Sequence, residues 1–105
     1  MPDLKSSLQK VHEKISVAYQ AARSDRDASP VLVAVVREFA GKADKSMKLL
    51  GEGKGRDAVI ELEQAGDSAK AAAEADSSAA AATTRMILDA HLAICMLKAT
   101  LDNPS

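Results

Sequence analysis

The chain has 105 residues, enough for one domain, and its 47% hydrophobic and 28% charged side chains suit a packed core rather than a disordered polymer. Fourteen Lys and Arg against fifteen Asp and Glu leave a net charge of −1, without the cationic surplus that neutralises phosphates, so nucleic acid is not an expected partner. The single Cys95 excludes an intrachain disulfide, no basic segment followed by an apolar run opens the sequence, and no apolar stretch approaches the about 20 residues a bilayer requires; a cytoplasmic protein without membrane contact is expected.

Leu4, Leu8, Val11, Ile15, Ala18 and Ala22 recur at spacings of three and four, which places them on one face of a first helix over 3–24. Ser24 to Ala28 carries no large apolar side chain and reads as a turn. Ser29-Pro30 then supplies a capping hydroxyl and a proline at the first helical position, opening a second helix over 30–51. Its stripe is Leu32, Val36, Phe39, Ala43, Met47 and Leu50. The run from Val31 to Val36 has the composition of a buried strand, but no second strand exists for it to pair with, so helix is expected there.

Gly51-Glu52-Gly53-Lys54-Gly55 ends the second helix. It departs from a nucleotide-binding loop, which needs a preceding strand and a Ser or Thr after the lysine, and it reads as an interhelical turn. Ala58, Leu62, Ala65, Ala69 and Ala72 mark a third helix over 56–75. Ala80, Thr83, Ile87, Ala90, Ile94, Leu97 and Leu101 mark a fourth over 78–102. Asp76-Ser77-Ser78 has capping chemistry but no Gly or Pro, so the alternative is a single fused helix from about 56 to 102. Length favours the turn: four helices of about 20 residues are each about 30 Å long and match, whereas a fused helix of about 70 Å outruns its partners. The expected architecture is an all-α, antiparallel up-and-down four-helix bundle spanning 1–105 as one domain. In it, the alanine-rich stretch after Leu62 faces the bulkier end of the first helix and start of the second.

Candidate chemistry centres on the fourth helix. His91 and Cys95 are four residues apart and share a face, so imidazole and thiolate offer half of a zinc site. His12 lies off its helix's core stripe and no second cysteine exists, so carboxylates would have to complete it. The expectation is therefore a buried histidine with a hydrogen-bond partner beside an inert thiol, with no metal or other cofactor. A histidine midway along a bundle helix also resembles the arrangement of histidine phosphotransfer domains, which implies an exposed imidazole that carries a phosphoryl group. The sequence departs from those domains after His91, where Leu92, Ala93, Ile94, Cys95 and Met96 replace the lysine and glycine of the next turn. Glu61 and Glu63, two apart, do not share a helix face, Glu63 and Asp67, four apart, read as solvated charge on a polar face, and no nucleophile turn accompanies them, so no enzyme is expected.

From Met86 to Leu97 ten of twelve residues are apolar, more than one buried stripe requires. The surplus of Leu88, Leu92 and Cys95, joined by an outward-facing Val33, is expected to form an interface. The resulting expectation is a non-enzymatic interaction module that self-associates or docks a protein partner through the fourth helix. The alternative is a carrier of a small ligand, metal or phosphoryl group that uses His91 and Cys95.

Overall fold

The computed structural model describes residues 3–102, which form four helices: α1 (Leu4–Ser24), α2 (Pro30–Gly51), α3 (Gly55–Ala75) and α4 (Ala81–Asp102). Consecutive helices are neighbours, and α1 packs against α4 to close the bundle, leaving α1/α3 and α2/α4 as the diagonals. The longest dimension is 41 Å, so α3 and α4 are separate helices and the fused alternative is overturned. No strand occurs among the described residues, and Val31 to Val36 is helical.

Each boundary has a local cause. The Asp3 carboxylate accepts the Ser6 N–H at the start of α1, and the Ser29 hydroxyl accepts the Leu32 N–H ahead of Pro30 in α2. After α2, Gly53 takes φ 78, the left-handed conformation that a side chain disfavours. The N–H groups of Gly53 and Lys54 then donate back to the carbonyls of Leu50 and Leu49, the paired bonds of a Schellman turn. The glycine run is thus a helix stop, as its sequence implied.

α4 begins at Ala81 rather than at 78, because Asp76 draws the next residues into a turn: its Oδ1 accepts the N–H groups of Ser78 (3.0 Å) and Ala79 (3.2 Å). The same turn follows α1, where Asp25 Oδ1 accepts the Asp27 N–H (2.9 Å). In both aspartates the second oxygen reaches the other loop. Asp25 Oδ2 accepts the Ala80 N–H (2.8 Å) and the Thr83 hydroxyl (2.9 Å), whereas Asp76 Oδ2 accepts the Ser29 N–H (2.8 Å). The Ser78 hydroxyl adds a bond to the Asp27 carbonyl (2.7 Å). The start of α4 is therefore capped from the α1–α2 loop.

The core holds Leu8, Val11, Ile15, Ala18 and Ala22 from α1, and Leu32, Val36, Phe39 and Ala43 from α2. α4 contributes Ile87, Ala90 and Ile94, with Thr83 also buried, while Leu97 and Leu101 pack at its edge. Ala80 is exposed and precedes the helix, so that stripe starts one step later than its spacing suggested. In α2 the buried position after Ala43 is Ser46, whose hydroxyl donates to the Ala43 carbonyl, and Met47 and Leu50 are only partly covered. α3 is rotated from its expected face: Val59, Gly66 and Ala73 are buried beside Ala58, Leu62 and Ala69, whereas Ala65 and Ala72 are half-buried.

The rotation follows from size. Phe39 is the largest buried side chain, and it lies against Gly66, where an added Cβ would come within 3.2 Å of its Cζ and 3.3 Å of Ile94 Cγ2. Turning Gly66 inward admits the ring. Toward the Asp25 and Asp76 loops, small residues fill one diagonal, with Ala18 and Ala22 in α1 facing Ala69 and Ala73 in α3. Larger Leu32, Val36 and Ile87 fill the other. Large side chains do meet the alanine stretch, but they come from α2 and α4. The end of α1 contributes alanines inward, with Tyr19 packed at the margin.

Candidate functional site

The surplus apolar residues of α4 fall on two flanks. Toward α1, Leu92 is 57% exposed, Met96 62% and Met86 37%, and Val17 of α1, at 53%, continues the same surface. Shallow depressions run along this α1–α4 face, one edged by Lys10, Glu13, Lys14, Val17, Met86 and Asp89, the next by Lys14, Asp89, Leu92, Ala93 and Met96. Helical geometry places these residues: with Ile87, Ala90 and Ile94 pointing inward, Met86, Asp89, Ala93 and Met96 turn to one side of the stripe.

Cys95 turns to the other flank, against α3, and Leu88, two turns before it, shares that side. Both are half-buried. Val33 is half-buried on α2, the helix diagonal to α4, and does not extend either surface. Of the expected seam, Leu88 and Cys95 are half-buried toward α3, Val33 stands apart on the diagonal helix, and Leu92 opens onto the α1–α4 face. Met86, Met96 and Val17, which the fourth-helix stripe alone did not single out, join it there. The signal that would have found them is the packing of α1 beside α4, which the spacing of one helix does not contain.

The α3 flank holds the polar chemistry. His91 Nε2 lies 2.8 Å from Asp67 Oδ1 on α3, and the Cys95 sulfur lies 3.4 Å from Nε2 and 3.9 Å from Nδ1. The His91 side chain is 14% exposed, whereas the Asp67 carboxylate is open to solvent. His91 is thus partly buried, and its hydrogen-bond partner is Asp67. One turn earlier on α3, Glu63 pairs with Lys98 Nζ (3.5 Å), which also approaches Asp102 (3.7 Å). Burial pushes the Cys95 thiol upward from its ordinary pKa, and the charges of Glu63 and Asp67 push it further, against the smaller opposing effect of Lys70 and Lys98. This surrounding disfavours the thiolate form of Cys95.

A phosphoryl acceptor needs an imidazole nitrogen facing solvent. His91 Nε2 is engaged by Asp67 and shielded by Cys95, an arrangement that weighs against phosphotransfer. The other histidine, His12, makes a comparable pair with Asp44 of α2 (2.6 Å), but no sulfur accompanies it. No helix among the described residues is long and apolar enough to cross a membrane. The chain matches no protein family, no curated protein and no solved structure, so its functional reading rests on these side chains.

Proposed function

We propose that the chain is a non-enzymatic helical interaction module that pairs with a second copy of itself through the α1–α4 face. The observation that supports this reading is the concentration there of Val17, Met86, Leu92 and Met96, four large apolar side chains left exposed on one side of a bundle whose core is already complete without them. A second copy suits the charges that border this face. Lys10 and Lys14 stand on the α1 edge with Glu13, and Asp89 on the α4 edge, so a two-fold axis between the helices sets each copy's lysines beside the other's carboxylates.

Burying a large apolar side chain contributes about 1.5–3 kcal/mol, and these four are already partly covered, so each contributes less. Set against the cost of lost translational and rotational freedom, eight such side chains from two copies support association in the micromolar range. Sedimentation across a dilution series should show a monomer–dimer equilibrium, and Leu92→Asp or Met96→Asp should give a folded monomer. A chain that stays monomeric at every concentration defeats the reading. So does reactivity of the Cys95 thiol that rises on dilution, because that would put the seam on the α3 flank.

A further inference from the structure

We infer that Asp67, His91 and Cys95 form a binding site for a divalent transition-metal ion of the zinc class, held across the α3–α4 interface on the flank away from the proposed docking face. Their ligand atoms, a carboxylate oxygen, an imidazole nitrogen and a thiol sulfur, all lie within 4.8 Å of one another. Bonds of about 2.0–2.2 Å to nitrogen and oxygen and about 2.3 Å to sulfur set tetrahedral ligand atoms about 3.3–3.6 Å apart. Sulfur and Nε2 already stand at 3.4 Å, and Nε2 and the Asp67 oxygen at 2.8 Å, so an ion enters by parting one hydrogen-bonded pair by about half an ångström and drawing the carboxylate toward the sulfur.

The two helices suit the task. His91 and Cys95 are one turn apart on α4, a four-residue spacing that lets two side chains of one helix chelate one ion, and α3 brings the third ligand from the neighbouring helix. Asp67 stands at the exposed edge of the group, while His91 is largely covered. Charge also balances: a carboxylate and a thiolate neutralise a divalent ion, the thiol proton leaves to solvent on binding, the Nε2 proton shared with Asp67 gives way to the ion so that a neutral imidazole protonated on Nδ1 remains, and the nearby Glu63 is already engaged by Lys98. A mixed nitrogen, oxygen and sulfur set selects zinc-like ions over magnesium or calcium, which favour oxygen alone. Three protein ligands leave the fourth position to water.

Cobalt(II) is the probe, because its tetrahedral complexes absorb visibly and a cobalt–thiolate bond adds a sulfur-to-metal charge-transfer band. Titration of the full chain should saturate at one cobalt per chain with that band present, and added zinc should abolish it. Cys95→Ser should remove the band. His91→Ala and Asp67→Asn should each weaken binding by at least the roughly 10–100-fold that even an outer-shell partner is worth. His12→Ala should leave the titration unchanged, since His12 and Asp44 lack the sulfur. Circular dichroism reports the folding of each variant, and the exposed Asp67→Asn carries the test if His91→Ala loses helix. Absence of the charge-transfer band, or a band that survives both His91→Ala and Asp67→Asn, overturns the site. Neither result bears on the α1–α4 docking face.

Discussion

The two ends of the bundle are built on opposite terms. At one end a single glycine turn joins α2 to α3, and Leu4 and Leu50 close over buried Gly55, where an added Cβ would stand 2.8 Å from Leu4 Cδ2 and 3.0 Å from Leu50 Cδ1. Apolar volume holds that end. At the other end α1 and α3 offer only alanines to the core, and two loops grip each other through Asp25 and Asp76. Alanine buries little area per residue, so helix pairs joined by it gain less from the hydrophobic effect. The directional bonds between the loops supply the alignment that large side chains supply elsewhere. The difference teaches that a small bundle can narrow at one end without fraying if its helix termini are satisfied from across the fold.

The largest test of this contrast is to exchange the two packing regimes. Leu8→Ala, at a fully buried position toward the apolar end, should cost about 2–5 kcal/mol through the cavity it leaves. Ala73→Leu at the alanine end should cost about 1–3 kcal/mol by overpacking. Urea titrations of both measure the difference, and an unchanged midpoint for Ala73→Leu would show room where the alanines are read as tight.

A smaller effect isolates the polar end. Asp76 and Asp25 both have pKa values below the ordinary aspartate value of 3.8, Asp76 chiefly because the Ser29 N–H donates to it and Asp25 chiefly because the Ala80 N–H does. A carboxylate whose folded pKa is depressed contributes fully above its unfolded pKa, and that contribution is lost as pH falls through the folded pKa. Tm should therefore decline below about pH 4. Asp76→Ala should lower Tm at neutral pH and flatten the acid decline. A variant curve parallel to that of the unaltered chain would detach acid sensitivity from this loop.

The helices and their inward stripes were legible because large side chains at regular spacing leave only one face to bury, as Leu8, Val11 and Ile15 do in α1. Legibility fails where size contrast vanishes. In α3 the non-polar positions beyond Leu62 are all alanine or glycine, so periodicity alone allows either Ala65 and Ala72 or Gly66 and Ala73 to face inward, and the Phe39 ring from another helix decides. The start of α4 was misplaced for a related reason: Asp76-Ser77-Ser78 carries capping residues, yet the cap that begins the helix comes from Asp25, 55 residues away. His91 and Cys95 were readable as a pair from their spacing. Asp67 was not, since its approach depends on the register of α3 against α4, which no single helix encodes.

The crossed aspartates also bear on the order in which the chain assembles. Each helical hairpin is a local structure closed by a short connection, whereas the Asp76–Ser29 and Asp25–Thr83 bonds join residues 47 and 58 positions apart and exist only once the two hairpins have met. Bonds of this sequence separation are expected to form after the barrier and then to act as a latch on the finished fold. Asp76→Asn should consequently hasten unfolding in stopped-flow experiments while leaving the folding rate nearly unchanged. Slowed folding would instead place the meeting of the hairpins at the barrier itself.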